Sequence, residues 1–455
     1  MNLFMWGILV FCNFIMALTL SLAAKPHNHV IIENTLPVDK LDDPQVVTLA
    51  KQYRKRQFQI AFFLSVIEAI LLLPMKDYLF MLLFFLLLML SIGCGYYLQI
   101  RYIRKMRRII EENHWQLAIA SVQINTKLVR EKNEKMVSVT WFVLAGGLSL
   151  LLFYFAYATM GNLLLIATVL LIEFSLIGGW YLVSRLPVRA LTNDQEINRQ
   201  YNNLTKYYWS FLMVGMGIFF PPLIYFPLLS LSSWQNQFIL LTAIEFAMLV
   251  FLVIFTVAWL LTLRRKQDAL LDQSSDFRYQ GDDYYWRYGV YYNPEDSRFM
   301  VPDRIGLNLS VNLAKTGAKI MMALGGIVLL IALFISVVPL YVLDNHPDPF
   351  TYTVNDKNVT LEGPFVSKRA IPLTKIQQVD LVEELPKRGL RTNGFATDHY
   401  AMGSFKLDGK AANLFIDHHS HPILLIQTAA KNYYYTNKSP AKTRKAYQEI
   451  KQELK

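Results

Sequence analysis

The stretch IMMALGGIVLLIALFISVVPLYVL, residues Ile320–Leu343, runs directly into DNHPDP, residues Asp344–Pro349. The first part carries no charge and exceeds the roughly 20 apolar residues that a helix needs to cross about 30 Å of hydrocarbon. The second part, with two prolines and two aspartates, cannot prolong that helix in lipid. The junction therefore divides the chain into a membrane part and a C-terminal tail.

Working towards the N-terminus, seven more segments have the same character: Leu3–Ala24, Phe58–Leu73, Tyr78–Leu98, Val139–Thr159, Asn162–Ser184, Tyr207–Ser230 and Phe238–Leu263. The second is short and stops at Pro74. Only helices and closed barrels satisfy the backbone in lipid, and unbroken apolar runs of this length read as helices. The whole chain agrees. Of 455 residues, 54% are hydrophobic and only 17% charged, which excludes an ordinary soluble enzyme. Cys12 and Cys94 both lie within apolar runs, so neither a disulfide framework nor a CxxC site is readable.

A net charge of +11 would raise the question of nucleic acid in a soluble protein. Here it reads as topology, and no nucleic-acid partner is expected. Loops 25–57, 99–138, 185–206 and 264–317 hold six, nine, four and eight Lys+Arg, whereas the intervening connections hold at most one. Basic loops mark the cytoplasmic side, which puts the N-terminus and the tail outside. Ser21-Leu22-Ala23 loosely resembles a signal-peptide cleavage site. The preceding Met1-Asn2 lacks the basic n-region, so the first span is read as uncleaved.

Towards the C-terminus the pattern changes to short alternating runs: Phe350–Val354, Val359–Glu362, Ile371–Ile376, Val379–Leu385, Tyr400–Leu407, Ala412–Asp417, Ile423–Thr428 and Tyr433–Thr436. Turn residues separate them, which predicts a small antiparallel β sandwich or barrel. Ser439-Pro440 then opens a helix whose stripe of Ala446, Tyr447, Ile450 and Leu454 suits it to plug the barrel. The expected architecture is an α-helical transmembrane bundle of about eight spans over 1–343 and a β domain over 344–455, closed by a C-terminal helix.

The tail resembles a bacterial pleckstrin-homology (PH)-like domain. The residues that carry the resemblance are Val359–Phe365, Ile371-Pro372-Leu373, Glu384-Leu385-Pro386 and Arg391–Thr397 with Tyr400, Gly403 and Phe405. The family has Gly where Ala396 stands here. Loop residues Tyr284–Asn312 resemble a short cytoplasmic domain of unknown function in Firmicutes multi-pass membrane proteins, and Leu36–Pro44 with Tyr53-Arg54 resembles another cytoplasmic motif of those proteins. The resemblance implies a fold and a bacterial plasma-membrane setting. It implies no biochemical activity, and phosphoinositide binding known for eukaryotic PH domains does not carry over.

Three glutamates, Glu68, Glu173 and Glu245, fall inside spans. They read either as an ion or proton path or as hydrogen-bonded links between helices. Leu171–Phe174 and Ala243–Phe246 share an Ile-Glu-Phe core, a hint of internal duplication. Gly146-Gly147 and Gly178-Gly179 suit close helix packing, while Pro221-Pro222 and Pro227 predict a break in the sixth span. Ile100, Ile103, Met106 and Ile110 alternate with arginines, as a basic helix lying on headgroups would, or simple topology anchors. The aromatic run from Asp282 to Ser297 reads as strand-like.

In the tail, Arg391-Thr392-Asn393-Gly394-Phe395 reads as a turn or recognition loop. His418, His419 and His421 read as a solvated hairpin rather than a metal site. No Walker A, GxSxG or HExxH motif occurs, so no catalytic residue, metal or cofactor is expected. These features predict a non-enzymatic sensor, regulator or immunity-type protein. It would act on a protein partner through the PH-like domain; the alternative is an ion- or proton-coupled transporter or channel using the three glutamates.

Overall fold

A computed structural model describes residues 2–120, 126–160, 163–232, 235–274, 276–386 and 389–454. Its helices, in chain order, are α1 (Asn2–Ser21), α2 (Pro44–Glu68), α3 (Asp77–Glu112), α4 (Thr126–Arg130), α5 (Trp141–Met160), α6 (Leu163–Arg185), α7 (Gln195–Ser232), α8 (Gln235–Leu271), α9 (Thr316–Asn345) and α10 (Pro440–Glu453). Each of the eight expected spans falls on a helix. Among the described residues, six helices are long and apolar enough to cross a membrane: Asn2–Ala24, Asp77–Glu112, Thr168–Arg185, Gln195–Ile224, Ala243–Leu271 and Thr316–Asn345. Trp141–Tyr154 is apolar but shorter. The expected connection at Gly161 and part of the one at 231–237 lie outside the described residues.

The helices overrun their spans for identifiable reasons. Asp43 accepts a hydrogen bond from the Gln45 N–H and Pro44 takes the first position, so α2 starts well before the apolar run at Phe58. It ends in a 3-10 turn over Ala69–Leu72, with Leu73 extended ahead of Pro74. Asp194 accepts hydrogen bonds from the N–H groups of Glu196 and Ile197 and so starts α7 ahead of Tyr207. The expected break in the sixth span is not found, since α7 continues as helix through Pro221-Pro222.

Two helix clusters form. In one, α1 packs on α2 and α3, and α9 lies along α3; in the other, α7 is central to α5, α6 and α8. Of the four mid-span glycines, only Gly179 sits against a neighbouring helix, where a Cβ would come within 2.8 Å of Met213 Sδ. α9 leaves Ile320, Leu324, Leu330 and Phe334 exposed along its length, a surface suited to lipid and not to water. The protein is a multi-pass membrane protein.

Beyond one end of the spans the basic loops assemble into a layer. A two-residue hairpin joins β1 (Val30–Ile31) to β2 (Asn34–Thr35), and β3 (Met300–Pro302) pairs with β4 (Leu309–Val311). The stripe of α3 turns inward here: Tyr102, Ile103, Met106 and Ile110 are buried with Leu36, Val46, Leu49 and Tyr53. This corrects the picture of a helix lying on headgroups, because α2 offers those residues an apolar partner. The aromatic run is not a strand either. Asp283–Trp286 forms a 3-10 turn, and Trp286 and Tyr291 bury their rings against each other, with centroids 5.2 Å apart.

The opposite end carries the β domain. A three-stranded sheet contains β5 (Thr351–Val354), β6 (Asn358–Gly363) and β7 (Val366–Pro372). The second sheet is built from β8 (Ile376–Val382), β9 (Gly389–Ala396), β10 (Tyr400–Leu407), β11 (Lys410–Asp417), β12 (Ile423–Thr428) and β13 (Asn432–Tyr435), in the order β8-β12-β13-β11-β10-β9. Phe350, Val359, Leu361, Phe415, Leu424 and Ile426 form its core, and α10 inserts Ala446 and Ile450 into it.

Candidate functional site

The intramembrane glutamates are separated by the fold. Glu68 is fully buried, and its two oxygens accept hydrogen bonds from Asn13 Nδ2 (2.7 Å) and Ser91 Oγ (2.9 Å), which ties α2 to α1 and α3. Glu173 accepts from Ser149 Oγ (3.2 Å) and faces Gly217, tying α6 to α5 and α7. Glu245 is half-buried on α8 and has no hydrogen-bond partner among the described residues. Glu68 and Glu173 share no partner and belong to different helix clusters.

The expected recognition loop is a strand. Arg391, Thr392, Asn393, Gly394 and Phe395 all lie in β9, at the edge of the larger sheet. The reason is a glycine pair: Gly394 stands opposite Gly403 of β10, with φ of 135° and 115°. A Cβ on Gly394 would approach Met402 O to 2.2 Å, and one on Gly403 would approach Asn393 O to 2.5 Å. Two glycines thus let the strands pair where any other residues would force them apart. Arg391 and Asn393 are exposed, while Phe395 turns towards the core. Gly363, at the start of the β6–β7 turn, packs against Phe350, Phe415 and Met402 of β10. That turn presents Phe365, 64% exposed and held at φ 61°. β9 also approaches α7.

A clamp holds the domain to the bundle. Leu343, the last residue of the final apolar run, is buried in the β-domain core. Lys438 Nζ donates to the carbonyls of Leu343 (2.7 Å) and His346 (2.8 Å), which supplies a cation to the end of α9. His399 Nδ1 donates to Asp77 Oδ1 (2.7 Å) at the first turn of α3, and the His399 and His419 rings lie 4.8 Å apart. His418, His419 and His421 occupy the β11–β12 connection, and no metal-holding cluster occurs among the described residues.

The end with the basic loops holds a buried ionic knot that the sequence did not announce. Arg304 is 4% exposed. It pairs with Asp283 Oδ1 (2.6 Å), lies 3.8 Å from Asp282, and donates to Glu33 O (3.1 Å) and to Thr35 Oγ1. Thr35 in turn donates its N–H and hydroxyl to Asp283 (3.0 and 2.7 Å). Burial, with Asp303 adding to it, pushes the Glu33 carboxyl well above the usual carboxylate range, against the pull of Arg304. Burial likewise pushes Asp303 up to about 6, against the hydrogen bond from the Ile305 N–H. For Arg304 itself burial opposes the charge, but Asp282, Asp283 and Glu33 outweigh it and hold the guanidinium charged. Alongside, His27 Nδ1 bonds Asp268 Oδ1 (2.8 Å), and Arg264 donates to the carbonyls of Leu22, Lys25 and Pro26.

The backbone here is strained. Ile32 and Glu33 occupy the two-residue turn of the β1–β2 hairpin with φ of 46° and 57°, where Asn-Gly is the usual choice. A β-branched residue at positive φ costs about 1–3 kcal/mol. It is held because Ile32 is buried with Leu36 and Tyr53. Asn28 and His29 also have positive φ. The sequence clue was thin: Asp282-Asp283 and Arg304 lie far from Glu33 in the chain, and only a fold brings them together.

Residues 350–453 match the family model of the bacterial PH domain. No curated protein matches the chain, and no solved structure does. The matched residues are the two sheets and α10 described above. The chain is a multi-pass membrane protein that carries a bacterial PH-like domain at the end of its last membrane helix.

Proposed function

We propose that this is a non-enzymatic sensor, regulator or immunity-type protein of a bacterial plasma membrane. Its PH-like domain would recognise a protein partner at the extracytoplasmic face. The carrying observation is the place of β9 as the edge strand of the larger sheet, with Arg391 and Asn393 exposed on it, together with the exposed ring of Phe365 on the β6–β7 turn of the same domain. An edge strand can accept a strand of a partner through main-chain hydrogen bonds, and an exposed aromatic on the same domain can supply an anchor. An exposed bulky residue at positive φ is a strained arrangement of the kind that clusters at functional sites. The orientation rests on the Lys+Arg counts, which put the ionic knot in the cytoplasm. The resemblance of loop 284–312 to that of Firmicutes multi-pass proteins supports the bacterial setting. The clamp at Leu343, Lys438 and His399 fits a regulator, because it ties the recognition domain to α3 and α9.

The test is site-specific photo-crosslinking in cells, with the photoreactive group at Arg391 of the full chain and, as a control, at Lys445 on the exposed face of α10. The expected result is one discrete adduct from position 391 that disappears on Phe365→Ala. Equal adducts from both positions, or an adduct indifferent to Phe365→Ala, would contradict the reading.

A further inference from the structure

Near the basic end, a groove of about 700 Å³ opens between α2 and α3. Lys55, Arg56, Arg101 and Lys105 line it, and no acidic side chain does. None of the four makes an ion pair among the described residues, although elsewhere at this end the acids are matched to cations in the knot. Lys105 Nζ sits over the Tyr102 ring at 4.9 Å, and Arg56 donates to Gln59 Oε1 at 3.2 Å, so two of the cations are positioned by neighbours inside the groove.

The depth of the groove decides what it can hold. Tyr97, another lining residue, is 67% exposed. Further along the same helices come Phe62 and Phe63 on α2, 57% and 63% exposed, and Ile92 and Tyr96 on α3. Phe62 lies seven residues beyond Lys55, about 10 Å along a helix. The cations therefore stand where lipid-facing apolar surface ends and polar surface begins. Tyr and the long stems of Lys and Arg are at home at that level. A soluble anion would use the charge but not the adjoining apolar faces; a phospholipid uses both.

We propose that this groove binds the phosphodiester headgroup of an anionic phospholipid, whose acyl chains run along Phe62 and Phe63. Basic pockets between membrane helices are suited to such headgroups. The inference does not depend on the role of the PH-like domain, which lies at the other end of α3.

The test uses the full chain in nanodiscs of phosphatidylcholine doped with phosphatidylglycerol or cardiolipin, read by native mass spectrometry for retained lipid. The wild type is expected to keep an anionic lipid that Lys55→Gln/Arg101→Gln loses, with affinity reduced roughly thirtyfold for two charges. Phosphatidylcholine retention should not change, and Lys55→Arg/Arg101→Lys should restore binding. Both positions are exposed, so the fold should tolerate the changes. Millimolar inorganic phosphate should compete poorly. Equal anionic-lipid retention in the glutamine variant, or displacement of the lipid by inorganic phosphate alone, would overturn the proposal.

Discussion

The two ends of the membrane bundle are stabilised by opposite means. In the PH-like domain the buried groups include Phe350, Phe415, Leu424 and Ile450, and positive φ falls on Gly394, Gly403 and Gly409 and on two turn residues, Phe365 and Asp408. At the other end the buried groups include Glu33 and Arg304, with Asp303 half-buried, and positive φ falls on the consecutive pairs Asn28-His29 and Ile32-Glu33 as well as on Gly281, Gly289 and Gly306. An apolar core of complementary shape tolerates modest change; a buried charge network does not tolerate losing one member. The apolar end is built to be stable. The strained, charged end has the features expected of a part whose conformation matters.

The comparison is broken most directly at Arg304. Arg304→Met leaves the buried Glu33 and the half-buried Asp282 and Asp283 around no cation, and up to about 3–5 kcal/mol of stability should be lost. Hydrogen exchange of the full chain in nanodiscs should show deprotection over 27–36 and 282–306, with the PH-like domain unchanged. Next comes Ile450→Ala, which opens a cavity under α10 and should cost about 2–5 kcal/mol. Here the deprotection should fall on 350–453 and spare the knot.

A third outcome depends on pH. Burial raises the Glu33 and Asp303 carboxyls, the latter to about 6. A carboxyl raised on folding contributes stability that is complete below its unfolded value, about 4, and is lost as pH rises through its folded value. Exchange protection of the knot should therefore fall between about pH 4 and pH 7. Asp303→Asn should flatten the curve, and the PH-like domain should not follow it. The smallest effect is expected at Glu68. Glu68→Gln keeps a side chain that can still bond Asn13 and Ser91, so a change of about 1 kcal/mol or less in stability is predicted. If vesicles holding the protein show proton flux that Glu68→Gln abolishes, the transporter reading gains and the link between helices becomes secondary.

What could be read from the chain follows the same division. The spans, the β-rich tail and α10 were legible because apolar run length, period-2 alternation and the Ser439-Pro440 start are local signals, whereas the PH-like identity of that tail came from a resemblance. Tyr400–Leu407 and Ile423–Thr428 are strands with the boundaries their sequences indicated. β9 was not legible, because Arg391-Thr392-Asn393-Gly394 has turn composition. What makes it a strand is Gly403 across the ladder, which a single segment cannot show. The inward turn of Ile103 and Met106 depended likewise on the apolar stripe of α2. The knot depended on contacts between residues up to 271 positions apart, as in the Arg304–Glu33 bond. The three glutamates were found from cost alone; their Asn and Ser partners needed the packing.

An outward-facing recognition role requires the β domain outside the membrane and the knot inside. With Cys12 and Cys94 replaced by serine, single cysteines at Arg391 and at Glu112 can be exposed to a membrane-impermeant maleimide on intact protoplasts. Arg391→Cys should label at once and Glu112→Cys only after permeabilisation. The reverse pattern would place the PH-like domain in the cytoplasm and contradict an outward-facing recognition role.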